Sequence, residues 1–215
     1  MPREIALVMF DLDGTLIDTM QGFGELASEL IARDYGLPRD EGRARYRETS
    51  GLPFREQLEA IFPQDPRNDA TATEYERRKR VHCDGVGMDD QTVRALEALR
   101  RAGCRLVVSS NAAQRFVDDF ARSAAVPFDA ALGHSPELAK GPLHVQEVCR
   151  RFGVTPREIL FVGDSLHDAR LAAESGVRFV GRLGTFSAED FAAAFPRVPL
   201  VRSLDELVEV ISSCT

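Results

Sequence analysis

The sequence predicts an α/β protein, a parallel-sheet core built from two pieces of the chain with a small helical domain inserted after the first strand. Three observations carry that reading. Ile5 to Phe10 is an unbroken run of β-forming apolar residues, the pattern of a strand covered on both faces. From Asp18 to Gly87 the apolar spacing is helical and no convincing strand occurs. From Asp89 onward helix and strand patterns alternate, as in successive βαβ units. The expected boundaries are therefore 1–17 with 88–215 for the core and 18–87 for the insert.

A chain of 215 residues that is 44% hydrophobic can bury a core for such an arrangement. Its net charge of −7 does not provide the basic face that a nucleic-acid binder needs. No apolar stretch reaches membrane-spanning length, and the first apolar run ends in aspartates rather than at a small-residue cleavage site. Cys83, Cys104, Cys149 and Cys214 lack metal-type pairing and read as reduced thiols of a cytoplasmic protein. His82, His134, His144 and His167 are too far apart to suggest a zinc site, and each is expected on the surface or in a loop.

In the insert, Phe23, Leu26, Ala27, Leu30 and Ile31 mark a first helix from Met20 to Tyr35, which Gly36-Leu37-Pro38 closes. Helices are expected from Arg39 to Glu48, Phe54 to Phe62 and Asp69 to His82. The last carries Arg77-Arg78-Lys79-Arg80, read as a solvated face because Glu74 and Glu76 are within a turn. Cys83 to Asp90 is the expected return linker. In the core, Asp89 or Asp90 caps a helix to Ala102, and Cys104 to Ser109 is a strand. A helix from Ala112 to Ala124, a strand Phe128 to Leu132, a helix Pro142 to Phe152 and a strand Ile159 to Val162 follow. His167 to Glu174 is helical, Arg178 to Gly181 a strand, Asp190 to Phe195 a short helix, and Leu200-Val201 an edge strand before a helix capped by Ser203.

The chemistry begins where the first strand ends, at Asp11-Leu12-Asp13-Gly14-Thr15. Ligands of open α/β sheets sit beyond the carboxyl ends of strands, and Asp11 is read as a nucleophile there. Two carboxylates in that position repel each other, and a hard cation such as Mg²⁺ relieves the repulsion.

DLDGTL resembles the first motif of the haloacid dehalogenase superfamily of hydrolases, most of whose members are phosphatases. Its other motifs have counterparts in order. RLVVSSN supplies Ser110, with Asn111 beside it, as the hydroxyl that binds a phosphate oxygen with N–H groups at a helix start. Lys140 in LAKGPL corresponds to the lysine ahead of a helix, although the proline that often follows it directly is displaced to Pro142. ILFVG followed by Asp164-Ser165-Leu166-His167-Asp168 resembles the fourth motif. The resemblance implies a Rossmann-like core and a helical cap. It implies Mg²⁺ held by Asp11, Asp164 and the backbone carbonyl of Asp13, with Asp168 orienting a metal-bound water or Lys140 from behind the ligands.

In this pattern Asp11 attacks phosphorus to give an aspartyl phosphate, Asp13 serves as acid and base, and Ser110 and Lys140 hold the transferring group. The second aspartate sets the chain apart from dehalogenating members. TSGLPFREQL, residues 49–58, resembles the cap loop that faces the site, which makes Gly51 and Arg55 candidate substrate contacts. Sugar phosphomutases of the beta-phosphoglucomutase type place an arginine where Phe54 stands here. The expected partner is a small phosphorylated metabolite, with no nucleic acid and no membrane, and the protein is expected to be a monomer or homodimer. The alternatives are a sugar phosphomutase and, from another class, an aspartate-phosphorylated signalling receiver.

Overall fold

A computed structural model describes residues 5–83, 85–135 and 137–213. Cys214 and the side chains of Arg80, His82 and Cys83 lie outside what is described. The chain forms two compact units, 1–17 with 87–215 and 18–86.

The larger unit is a six-stranded parallel sheet. Its strands are β1 (Leu7–Phe10), β2 (Arg105–Ala113), β3 (Ala130–His134), β4 (Ile159–Gly163), β5 (Arg178–Arg182) and β6 (Leu200–Val201), in spatial order β3-β2-β1-β4-β5-β6. Successive strands run outward from β1 first to one side and then to the other. β1 is therefore central, and its two neighbours belong to opposite halves, the arrangement that opens a crevice at the carboxyl ends. Every residue of β1 is buried, as its unbroken apolar run requires. Leu7, Met9, Val107, Ile159 and Phe161 pack on one face with Val145, Val148 and Ala172. These last three come from helices α7 (Pro142–Phe152) and α8 (Leu166–Ser175).

The smaller unit contains α1 (Met20–Tyr35), α2 (Arg39–Glu48), α3 (Phe54–Ile61) and α4 (Asn68–Cys83). Phe23, Tyr46, Phe54 and Tyr75 form its aromatic centre, with Phe54 stacked on Tyr75 at a centroid distance of 3.9 Å. The two phenol oxygens of Tyr46 and Tyr75 are hydrogen-bonded at 2.9 Å. On α4 Arg77 pairs with Glu74, and Arg78 reaches across to Glu29 of α1.

The remaining core helices are α5 (Asp90–Arg101), α6 (Gln114–Ser123), α9 (Ala188–Ala194) and α10 (Glu206–Ser213). Asp89 caps α5 by accepting from the Thr92 N–H at 2.6 Å. Three expectations need correction. β2 does not stop at Ser109, and α6 starts at Gln114, not Ala112. Pairing with β3 carries the strand on through a register shift between Ser109 and Ala113, so Ser110 and Asn111 stand on a strand end and cap no helix. β3 is displaced to 130–134, where its pairing with β2 begins at Ala130, and Phe128 before it packs against Phe120. Among the described residues no helix is long and apolar enough to cross a membrane.

Candidate active site

Backbone register assembles the site. Phe10 is level with Val108 of β2 and Val162 of β4, so the next residues, Asp11, Ser109 and Gly163, lie side by side at the carboxyl end of the sheet. The ladder extends one step further, since the Asp11 N–H donates to the Val162 carbonyl at 2.8 Å. By strand alternation Asp11 and Ser109 face the side covered by α7 and α8. Gly163 offers no side chain on that side, and the space is taken by Asp168. A Cβ at Gly163 would stand 2.6 Å from Asp168 Oδ2 and 2.7 Å from its Cγ, so any larger residue would displace the carboxylate.

Lys140 joins these groups. Its Nζ is 2.6 Å from Asp11 Oδ1 and 2.6 Å from Asp168 Oδ1, and its side chain is almost wholly buried. The following residue, Gly141, has φ +107° and ψ −136°, and a Cβ there would meet Leu171 Cδ2 at 2.8 Å. This geometry demands glycine, which accounts for the displaced proline. Pro142 then opens α7 at a position where its missing N–H costs nothing. Asp168 is also fixed from its own helix. The N–H and hydroxyl of Ser165 donate to Oδ2 at 3.2 and 2.7 Å, and the Asp168 N–H returns to Ser165 Oγ, a reciprocal cap.

Asp164 is buried at the end of β4 and accepts from the hydroxyl of Thr185. Asp13 is half-buried in a tight loop closed by the Gly14 N–H donating to the Ile17 carbonyl at 2.8 Å, and the Arg182 guanidinium donates to the Gly14 carbonyl. Ser110 is buried, and its Oγ accepts from the Ala112 N–H at 3.0 Å. The structure therefore brings Asp11, Lys140 and Asp168 into direct contact, and places Ser110 and Asp164 on the strand ends flanking Asp11. Asn111 follows Ser110 on β2, half-buried.

Gly51 and Arg55 belong to the smaller unit. Gly51 has φ +96° in the loop between α2 and α3. Arg55 forms ion pairs with Glu59 at 2.8 Å and with Asp69, both within that unit.

The electrostatics follow from burial. Asp11 is pushed up to about 7, first by burial and then by the neighbouring carboxylates of Asp168 and Asp13, against the pull of Lys140. Asp164 is raised well above the carboxylate range by burial and by Asp11 and Asp168. Burial works to discharge Lys140, but attraction to Asp11 and Asp168 outweighs it and holds the proton more tightly than in an ordinary lysine. Asp11, Asp164 and Asp168 each present a carboxylate oxygen within 4.8 Å of the others. Among the described residues the cluster sets three buried carboxyl groups against one ammonium, a formal deficit of positive charge that also drives the upward shifts of Asp11 and Asp164. All-oxygen donors and that deficit suit a hard divalent cation, and Asp11 and Asp164 are the residues that could hold it, since Lys140 and Ser165 engage both oxygens of Asp168.

Three residues near these groups escape a reading of the sequence. Arg182 is the last residue of β5 and Thr185 lies three residues beyond it, and their place at the carboxyl end of another strand was the available signal. The third, His144, corrects the expectation of a surface histidine. It is fully buried, bonded to Ser109 and to the Gly133 carbonyl.

Residues 8–182 match the sequence model of the haloacid dehalogenase-like hydrolase family. The chain is 28% identical to a phosphoglycolate phosphatase of Nitrosospira multiformis over 186 residues, covering 81% of this chain and 82% of that one. It is 27% identical to an N-acetylmuramic acid 6-phosphate phosphatase of Pseudomonas aeruginosa, covering 97% and 95%. Among solved structures, CbbY of Rhodobacter sphaeroides in complex with xylulose-1,5-bisphosphate superposes with a TM-score of 0.72 at 22% identity, covering 94% and 96%. A family match that runs from the first strand, through the Asp11–Lys140–Asp168 array, to the end of β5 places this chain among the haloacid dehalogenase-like hydrolases.

Proposed function

We propose that this protein is a Mg²⁺-dependent phosphatase that hydrolyses small phosphate monoesters through a phosphorylated Asp11. The observation that carries the reading is the buried array in which Lys140 bridges Asp11 and Asp168 beside Asp164. Bound Mg²⁺ would supply Lewis-acid polarisation of a phosphoryl oxygen and lower the repulsion between carboxylates. Asp11 then attacks phosphorus in line, forming the P–O bond to its carboxylate as the ester P–O bond breaks. Asp13 protonates the departing alkoxide and later takes a proton from the water that hydrolyses the aspartyl phosphate, releasing inorganic phosphate and restoring Asp11. Ser110 and Lys140 bind the transferring group, and Lys140 offsets charge that would otherwise oppose the attack. Asp168 holds Lys140 in line with Asp11. Gly51 and Arg55 are assigned to the substrate-selecting loop of the cap.

The named relatives act on small phosphorylated compounds, which favours a substrate of that class. A phosphomutase reading loses support from Phe54, whose ring is committed to the aromatic centre around Tyr75 and serves no phosphate. The family match argues against a signalling receiver.

The test is phosphate release from a series of small phosphate monoesters with Mg²⁺ present, run beside Asp11→Asn. Wild-type protein is expected to turn over at least one ester, and the variant to lose roughly a thousandfold or more of that rate, as when a covalent nucleophile is removed. Wild-type protein that releases phosphate from none of them overturns the reading.

A further inference from the structure

His144 is the buried titratable group that the chemistry above leaves unused. It lies in the first turn of α7, four residues after Lys140, and none of its surface is exposed. Nδ1 is 2.8 Å from Ser109 Oγ, and Nε2 is 3.2 Å from the carbonyl oxygen of Gly133. A carbonyl only accepts, so Nε2 carries the proton. Nδ1 is then left as an acceptor, and Ser109 donates to it. The opposite tautomer would set a bare ring nitrogen against a carbonyl oxygen inside the protein, leaving both unsatisfied.

The two partners are on different strands. Ser109 is the β2 residue level with Asp11 and precedes Ser110. Gly133 is on β3, packed so closely against the start of α6 that a Cβ there would meet Gln114 Cα at 2.6 Å. Its N–H also donates to Gln114 Oε1 at 2.7 Å. One imidazole thus ties the middle of β2, where its register with β3 shifts, and the end of β3 to the helix turn that follows Lys140. The geometry points to His144 as a positioning residue, a neutral clamp that holds Lys140 and Ser110 in register with Asp11.

The surroundings keep that clamp neutral. Burial lowers its pKa to about 4, the Gly133 carbonyl opposes this, and the positive charge of Lys140, with a contribution from His134, works in the same direction as burial. The inference rests on the phosphatase reading for its kinetic consequence but not for its tautomer.

Two measurements on the full-length protein test it. In ¹⁵N-labelled wild-type protein, the His144 side chain, assigned through its own backbone amide, is expected to show a protonated Nε2 and a bare Nδ1 that does not titrate between pH 5.5 and 8. An Nδ1–H tautomer, or a midpoint near the ordinary histidine value of roughly 6.5, overturns the clamp. In kinetics, His144→Phe keeps a ring of similar size and removes both bonds. It is expected to lower kcat roughly tenfold to a hundredfold, with a smaller change in KM, because Lys140 loses its register. His144→Gln, which retains an amide acceptor and donor, is expected to recover part of the loss. A folded His144→Phe protein with wild-type kcat overturns the assignment. A wild-type protein inactive on every ester instead overturns the phosphatase reading, and the NMR result then decides the clamp alone.

Discussion

The ammonium of Lys140 lies 2.6 Å from Oδ1 of Asp11, a residue 129 positions away in the chain. Neither group is stable there alone. A buried lysine tends to discharge and a buried aspartate to take up a proton, and each opposes that tendency in the other. The pair and Asp168 form one unit, and most of what can be tested about this protein follows from disturbing it.

Lys140→Met replaces the ammonium that contacts Asp11 and Asp168 with an unbranched apolar side chain of similar bulk. Breaking a buried ion pair from one side costs about 3–5 kcal/mol. The variant is expected to unfold at a clearly lower urea concentration and to lose most of its turnover. Unchanged stability in urea melts would show that the carboxylates find another counter-ion.

Gly163→Ala tests the close packing of Asp168 against β4. The added Cβ meets the carboxyl group at 2.6–2.7 Å, and Asp168 must move, taking Lys140 with it. Overpacking of this kind costs about 1–3 kcal/mol. The expected result is a lower melting temperature with a fall in kcat, measured on the same preparation.

Thr185→Val removes the hydroxyl that donates to Asp164 without changing the side chain's shape. Groups that orient a metal ligand typically contribute ten- to a hundredfold in affinity. Mg²⁺ titration of activity is expected to shift to higher concentration by roughly that factor, with maximal turnover less affected.

The pH dependence has a definite sign. Asp11, raised from 3.8 to about 7, binds its proton more tightly when folded than when unfolded. The folded state therefore carries more protons between these values, and metal-free protein loses stability as pH rises through that window. Below pH 4 both states are protonated, and Asp11 contributes no slope. Lys140, shifted far into the alkaline range, adds none in this window. Thermal melts in chelator are expected to show a lower melting temperature at pH 8 than at pH 5, and Mg²⁺ at pH 8 should restore it, because a ligand that binds only the folded form stabilises it. A metal-free melting temperature that rises over this range would contradict the assigned shift.

Much of the fold was legible because it depends on local signals. The apolar run of β1, the helical spacing of α1 and the Gly-Pro and Asp caps mark these elements whatever surrounds them. The positions of Asp11 and Asp164 were legible in the same way, since an acidic residue directly after a buried strand is a local pattern. What surrounds a residue was not legible in that way. The expected start of α6 failed at Ser110-Asn111, residues that favour caps and turns, because strand pairing with β3 overrode that preference. His144 was misplaced because nothing in LAKGPLH marks the histidine as buried, and its partners lie 35 and 11 positions away.

By itself the sequence determined a parallel α/β core, a helical insert after the first strand, and carboxylates at two strand ends, all of which follow from periodicity and from residue type at a chain position. Only the tertiary structure decided which of those groups touch. That Lys140 bridges Asp11 and Asp168, that Gly163 must lack a side chain, that Thr185 bonds Asp164 and that His144 bonds Ser109 depend on register and on helix packing across the sheet. Distances of a few ångströms between residues far apart in the chain are set by the packed sheet, and no single stretch of sequence encodes them.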